Sequence, residues 1–305
     1  MISICIPVYN YDLTSLVNCL HTAIEDSEIY GEIIIGADGC DNSFLESYKM
    51  LTSLNKVRLH ISEKNIGRAA IRNEITAASK GSFLLFIDAD ALVVSNARDY
   101  LDRYVQYLDS APVICGGVQY RETEPDDPDK YLRWRYGHFR EMKAAKTRNK
   151  KAYASFSGFN FLLERSVAEK IRFNEEFVKY GHEDTLFGFQ LLNAGIPVLH
   201  IDNSLLHDGL EPNRIFLGKT SEGIGNLSKL YDLVKNKKQL GRVVRLVKAY
   251  NYIKIPGLDR VLCNIYLKRR RRIEIIVRSR KTSLRMFDLY KLSLFCYHRI
   301  KKPLD

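Results

Sequence analysis

The chain has 305 residues, 46% hydrophobic and 27% charged, which is enough apolar material for a buried core and excludes a disordered chain. Its formal net charge of +11 is uneven: residues 235–305 hold 21 Lys and Arg against four Asp and Glu, so the preceding body is net acidic. Six cysteines (Cys5, Cys19, Cys40, Cys115, Cys263, Cys296) show no C-x-x-C pair and no zinc spacing, which reads as reduced thiols in a cytosolic compartment and excludes a disulfide scaffold.

Ile2–Val8 opens the chain as an apolar strand containing Pro7. It is too short to span a bilayer and lacks a basic leader and a cleavage site. No other stretch reaches the roughly 18 uncharged apolar residues of a span, so neither a transmembrane helix nor a secretion signal is expected. A helix follows from about residue 12 to 25, with Leu13, Leu16, Val17 and Leu20 on one face. Next come a strand over 33–37 ending in Asp38-Gly39, a helix from Ser43, a strand over 57–62, a helix from Arg68 to about Ser79, and a strand over 82–87. Short apolar runs alternating with helices predict a parallel sheet buried on both faces. Ligands of such sheets bind beyond the carboxyl ends of the strands, where Asp38, Asp88 and Asp90 stand.

Residues 121–155 break the alternation with an acidic, proline-containing loop (Glu122 to Pro128) and an aromatic, basic, helix-like stretch from Tyr131 to about Arg148. A strand over 159–163 and a short helix from Arg165 follow. A helix over 183–193, with Leu186, Phe187, Gln190 and Leu191 at helical spacing, stops at Gly195. A last short strand covers 196–201.

Asp88-Ala89-Asp90 closes the apolar run Phe83–Ile87. Two carboxylates spaced by one residue at a strand end can share a hard divalent cation with a diphosphate, or can be exposed turn acids. Such a cation would stabilise a nucleoside-diphosphate leaving group. His182-Glu183-Asp184 opens a helix, where acids cap favourably; one of them can also accept a hydroxyl proton while its neighbour positions an acceptor. His207 lies just past the last strand, either structural or part of a mixed carboxylate–imidazole metal site. Asn65 to Asn73 sets Gly67, Arg68 and Arg72 at a helix start, suited to an anionic or uracil-bearing ligand, or simply a solvated first turn.

Together and in this order the segments resemble family 2 glycosyltransferases. The resemblance rests on Ser3–Asn10, Ala37–Asn42, Asn65–Asn73 and Phe86–Asp90, with Ser157–Asn160 and Tyr180–Asp184 similar to acceptor-side motifs. Tyr180-Gly181-His182-Glu183-Asp184 is also similar to the Trp-Gly-x-Glu-Asp segment of galactosyltransferases and chondroitin-type polymerases, with tyrosine in place of tryptophan. Cys40 stands where the family usually has serine. The resemblance covers residues 1 to about 210 and implies a GT-A fold, an α/β Rossmann-like and mostly parallel mixed sheet with flanking helices. It implies a nucleotide-sugar pocket from Pro7, Tyr9, Asp38, Asn65, Arg68, Asp88 and Ala89, with Asp38 accepting from the uracil N–H. Asp90 and His207 would hold Mn²⁺ or Mg²⁺, manganese being favoured by the imidazole. Asp184 would be the general base of an inverting displacement, with Glu183 holding the acceptor, a glycan or a lipid-linked oligosaccharide. Residues 1–220 are expected as the catalytic domain, 1–120 its nucleotide-sugar half and 121–220 its acceptor half.

Residues 221–305 are expected as a basic helical extension. Lys268 to Arg272 is its densest cationic cluster, and Leu284, Phe287, Leu289, Tyr290, Leu292, Leu294, Phe295 and Tyr297 make an amphipathic end. This pattern suits an anionic membrane surface, which would place the protein peripherally at the inner face of the cell membrane. A cationic face whose apolar side packs on the catalytic domain is the plain alternative. A nucleic-acid surface is not expected, because no recognition motif accompanies the charge. Two other classes compete with sugar transfer. A nucleotidyltransferase would carry a Gly-rich phosphate loop after the first strand, where Pro7-Val8-Tyr9-Asn10 stands instead. A non-catalytic nucleotide-sugar-binding module would not need Asp88, Asp90, Asp184 and His207 together.

Overall fold

The structure, a computed structural model, describes residues 1–177, 179–279 and 282–301. Its elements in chain order are β1 (Ile2–Val8), α1 (Thr14–Ile24), β2 (Tyr30–Asp38), α2 (Asn42–Leu51), β3 (Val57–Ser62), α3 (Arg68–Ala78), β4 (Phe83–Ile87), β5 (Ala91–Leu92), α4 (Ala97–Val105), β6 (Val113–Cys115) and β7 (Val118–Gln119). They continue with α5 (Tyr131–Tyr136), α6 (Ala145–Asn149), β8 (Asn160–Glu164), α7 (Arg165–Lys170), α8 (Glu183–Ala194), β9 (Val198–His200) and β10 (Leu205–His207). Five helices end the chain: α9 (Asn213–Leu233), α10 (Lys237–Val243), α11 (Arg245–Lys254), α12 (Leu258–Arg278) and α13 (Leu284–Lys301).

Two compact units divide these elements. The first contains Met1–Tyr120, Glu141–Val178 and Leu186–Gly209. Its main sheet has seven strands in the order β3-β2-β1-β4-β8-β6-β9. β1, β2, β3 and β4 run parallel, β8 enters antiparallel to both β4 and β6, and β9 pairs parallel with β6. The sheet is therefore mixed and mostly parallel: its parallel part is what the alternation of apolar runs predicts, and its mixed character is what the resemblance implies. Both of its faces are buried. Ile4, Ile6, Ile33 and Ile35 pack with Leu16, Val17 and Leu20 of α1 on one side. Cys5, Ile34, Phe86 and Phe161 pack with Ile71 and Ile75 of α3 on the other. Pro7 is tolerated in the central strand because the β1–β4 ladder ends at Cys5, beyond which β1 is flanked by β2 alone.

The second unit contains Arg121–Arg140, Lys179–Thr185 and Leu210–Asp305. Its helices pack on one another through aromatic rings: Tyr231, Tyr250 and Phe295 meet with ring centroids 5.0–5.9 Å apart, and Tyr266 of α12 lies against Tyr290 and Tyr297 of α13. None of the described helices is long and apolar enough to cross a membrane.

Residue 220 lies inside the continuous helix α9, and 121–140 and 179–185 cluster with the C-terminal helices. The stretch 131–148 is not one helix: it runs as α5, a wide π turn over Gly137–Glu141, and α6. Gly137, a poor helix former, stands at the junction, and Ala144 is extended. Helix α4 and the short strands β5, β6, β7 and β10 were not foreseen, being two or three residues long in the case of the strands.

Candidate donor and metal site

The carboxyl ends of β1, β2 and β4 carry the predicted loops, and local bonds tie those loops together. Asn10 takes positive φ (46°) after β1 and exchanges two hydrogen bonds with Asp41: its Nδ2 donates to Oδ2 (2.9 Å) and the Asp41 amide donates to its Oδ1 (2.8 Å). The Cys40 thiol receives the Asn10 amide and donates to Val8 O, both at 3.5 Å. A thiol thus ties the Asn10 turn to the end of β1 by two weak bonds. Gly39 has φ of +63°, and a Cβ there would collide with the backbone of Lys64 and Asn65, so glycine is what lets the β2 loop and the 64–67 segment approach.

Asp38, buried at the end of β2, accepts the amides of Ile66 (2.6 Å) and Gly67 (3.1 Å) and so fixes the start of α3. Burial pushes its carboxyl up from the usual range, against the pull of those two donors. Each oxygen keeps a second lone pair for a ligand. From the first and second turns of α3, Arg68 and Arg72 reach Asp88: Arg68 Nη2 lies 2.5 Å from Oδ2, and Arg72 Nη2 lies 2.7 Å from Oδ1 and 3.1 Å from Gly158 O. Burial alone would raise the Asp88 carboxyl; the two guanidinium groups win and hold it below the usual carboxylate range. Arg72 has no exposure to solvent, whereas Arg68 is 40% exposed and can meet a ligand as well. Ala89 packs on the core under the loop, and Pro7 is half-buried. Tyr9 (56% exposed) and Asn65 stand open to solvent.

Asp90 meets His207 through the small sheet β5-β10-β7. Antiparallel pairing sets His207 opposite Ala91, and the Asp208 amide donates to Asp90 O at 3.0 Å. This register brings His207 Nε2 to 3.4 Å from Asp90 Oδ2. The imidazole is sandwiched between the rings of Tyr120 (5.3 Å, 23°) and Phe159 (5.5 Å, 25°), and the Tyr120 hydroxyl is anchored on Glu141. A side chain at Gly209 would sit 2.5 Å from Asp90 Oδ2, so glycine keeps the carboxylate's flank clear. The pair suits a cation: adjacent corners of an octahedron with bonds of ~2.1 Å lie about 3 Å apart. An oxygen and an imidazole nitrogen suit manganese better than magnesium. Among the described residues no three His, Cys, Asp or Glu side chains gather as a metal-binding group. A cation here would draw the rest of its shell from water and phosphate oxygens, the usual habit of Mg²⁺ and Mn²⁺ sites.

Glu183 and Asp184 belong to the second unit, at the start of α8. Glu183 is buried; Asp184 is half-buried and accepts the Thr185 amide at 2.6 Å. His182 has φ of 70° and its Nδ1 lies 3.1 Å from Thr185 Oγ1; burial, helped by the charge of Lys291, lowers its pKa to about 4. The loop ahead of the acids is held by α9. Asn226 Nδ2 reaches the carbonyls of Lys179 (2.8 Å), Tyr180 (3.3 Å) and Gly181 (2.9 Å), and Gly181, at φ +94°, lies against Gly223.

The sequence placed Arg72 beside Arg68 at a ligand-suited helix start but did not pair it with Asp88, and Asn226 and the aromatic brackets Tyr120 and Phe159 were not expected as site residues. Arg72 had a signal, since it stands four residues after Arg68 on the same helix face. Asn160 also had one, within the Ser157–Asn160 segment. It is a satisfied buried hub, accepting from the hydroxyls of Tyr100 (2.8 Å) and Tyr104 (2.7 Å) and donating to Gly117 O (3.0 Å) and Asn203 O (2.9 Å). A cavity of about 340 Å³ beside Lys80, Phe83 and Arg165 lies at the other end of β4 and contains none of the predicted residues.

Comparison with known proteins gives the chain a family context. The family model Glycosyl transferase family 2 matches residues 3–172, more than half of the chain. Two similar proteins are glycosyltransferases of Streptococcus pneumoniae serotype 4: GlyG, 30% identical over 125 residues (41% of each chain), and GlyA, 24% identical over 213 residues (67% of this chain, 30% of GlyA). The matches thus span well under half of either relative. Among solved structures, the mannosyltransferase PcManGT from Pyrobaculum calidifontis, in complex with GDP-Man and Mn²⁺, aligns at a TM-score of 0.57 and 13% identity over 99% of this chain and 87% of its own. TarS of S. aureus, residues 1–349 in complex with UDP, aligns at 0.51 and 16% over 99% and 91%.

Proposed function

The chain belongs to glycosyl transferase family 2 and has the GT-A fold of its structural neighbours, and on that premise we propose that it moves a hexose or N-acetylhexosamine from a UDP-sugar to a glycan or lipid-linked acceptor, with inversion at the transferred carbon, in the making of a surface polysaccharide. The observation that supports this reading best is the Asp90–His207 pair at the end of β4, next to an Asp88 clamped by two arginines.

In this reading Asp38 uses its remaining lone pairs for the uracil N–H, while Pro7, Tyr9, Asn65 and Arg68 border the base. Asp88 and Ala89 face the ribose. Asp90 and His207 hold the cation, which, when bound, supplies a Lewis acid for the departing diphosphate. The acceptor hydroxyl attacks the anomeric carbon as the bond from that carbon to the diphosphate oxygen breaks, and its proton passes to Asp184. Glu183 holds the acceptor. Manganese is favoured by the imidazole ligand and by the Mn²⁺ bound in the mannosyltransferase neighbour; UDP is favoured by the TarS complex. The lipid-linked acceptor and the basic helical unit go with work at the inner face of the cell membrane.

The test is to incubate the purified protein with a panel of UDP- and GDP-sugars and Mn²⁺, with and without EDTA, and to measure the nucleoside diphosphate released. EDTA-sensitive release from one donor supports the reading and names the sugar. Release from several donors regardless of EDTA would overturn the metal assignment, and binding of UDP without any turnover, acceptor included, would favour a non-catalytic module.

A further inference from the structure

Helix α12 turns one side inward and leaves another unused by the fold. Its buried residues, Asp259, Cys263, Tyr266 and Val277, lie along the side that packs on α13. A helix advances about 100° per residue. On that spacing Leu258, Val261, Ile265, Ile275 and Ile276 share an outward stripe about 120° wide. All five are exposed, between 41% and 69%. Lys268, Arg269 and Arg272 fill the middle of the same stripe and are exposed too. Just ahead of the helix, Tyr252 and Ile255 stand 69% and 88% exposed. Aliphatic side chains left in water in such number, in one line, mark a surface that meets something apolar.

The charges say what it meets. Of the two acids in α12, Asp259 is buried on the inner side and Glu274 is engaged by Arg270 at 2.9 Å, so the stripe holds cations and aliphatic groups only. We propose that this face of α12 docks flat on an anionic lipid surface, its aliphatic residues entering the headgroup boundary and Lys268, Arg269 and Arg272 meeting lipid phosphates. Interfacial helices combine these two features, and a helix of 21 residues is long enough for five turns of contact. A second copy of the chain is disfavoured, because a two-fold contact would press the cationic cluster against itself. Nucleic acid is disfavoured because the stripe offers aliphatic groups where stacking rings and hydrogen-bonding side chains are needed. This surface deepens the membrane part of the functional reading, and lipid binding is measured without donor or acceptor, so its failure leaves the sugar-transfer reading standing.

The experiment is flotation of the full chain with vesicles of mixed phosphatidylcholine and phosphatidylglycerol, and with phosphatidylcholine alone, at low and high salt. Binding to the mixed vesicles and weak binding to the neutral ones is expected. The variant K268E/R269E/R272E should lose about tenfold or more of the partitioning at low salt. The variant I265S/I276S should bind several-fold more weakly and be released completely by salt. Both keep the wild-type circular dichroism and melting temperature, since every substituted side chain is exposed. No binding by the wild type, or equal binding by either variant, overturns the proposal. So does retention on RNA with none on vesicles, or a dimer in solution that I265S/I276S dissociates.

Discussion

Arg72, wholly enclosed by protein, keeps its Nη2 2.7 Å from Asp88 Oδ1 and 3.1 Å from Gly158 O, while the half-exposed Arg68 takes the other carboxylate oxygen. The two arginines therefore have different work. Replacing Arg72 by Met leaves a buried carboxylate short of a partner and should cost on the order of 3 kcal/mol or more of stability. Arg68→Met should cost about 1 kcal/mol or less while weakening UDP binding. Urea unfolding of the two variants at neutral pH, beside calorimetric UDP titration, checks both halves.

Asp90→Ala and His207→Ala should each abolish the dependence of nucleotide binding on Mn²⁺; Asp90→Ala should leave stability unchanged, whereas His207→Ala also removes the ring stacked between Tyr120 and Phe159 and should lower it modestly. A variant that still answers to Mn²⁺ as the wild type does would move the cation elsewhere. Gly209→Ala, which presses a methyl group on Asp90, should weaken the same metal response in part.

In the proposed mechanism Asp184→Asn removes the proton acceptor, while an asparagine Oδ1 can still accept the Thr185 amide. Turnover should fall by orders of magnitude while donor affinity stays as in the wild type. Asn226→Ala acts one step back, by releasing the three carbonyls of the loop that carries Glu183 and Asp184. A loop displaced by an ångström can cost a hundredfold in rate, so a fall in kcat on the order of tenfold to a hundredfold is expected, with KM for the donor unchanged. Loss of folded protein would also lower apparent kcat at constant KM, so the circular dichroism and melting temperature of the variant are measured beside the kinetics and should match the wild type.

Where the candidate acids Asp38, Asp88 and Asp90 lie was legible in the residues because they sit at strand ends. Residues 33–37 and Phe83–Ile87 are continuous apolar runs, and the acids that follow them, Asp38, Asp88 and Asp90, had to lie at the carboxyl edge of a parallel sheet. What joins those acids was not legible. β5, β7 and β10 are too short to show a period, yet their pairing is what sets His207 beside Asp90. The insertion of β8 between β4 and β6 is a long-range choice that no local pattern announces. Arg72 reads in sequence as one more helix-surface cation, and only the fold shows it buried. In the C-terminal unit the amphipathic spacing was plain, but not which apolar residues face partners: Phe287, Tyr290, Leu294 and Phe295 are buried, whereas Leu289 is not.

Two histidines are held neutral by burial, His182 and His200, each with its pKa lowered to about 4 from 6.5. The unfolded chain binds protons at these groups between those values and the folded chain does not, so stability is complete above pH 6.5 and declines as pH falls towards 4. His182→Asn, which tolerates the positive φ of that position, should flatten this decline by on the order of 2–3 kcal/mol at pH 4. Melting temperatures of the two proteins from pH 7 to pH 4 should converge with falling pH, the variant losing less.

In the proposed function the carboxyl edge of this sheet binds a nucleoside diphosphate through a divalent cation. The decisive experiment is titration calorimetry of the purified protein with UDP, once with Mn²⁺ and once with EDTA. Saturable UDP binding that needs Mn²⁺ and disappears in Asp90→Ala is the predicted result. UDP binding of equal strength in EDTA, or none in either condition, would contradict it.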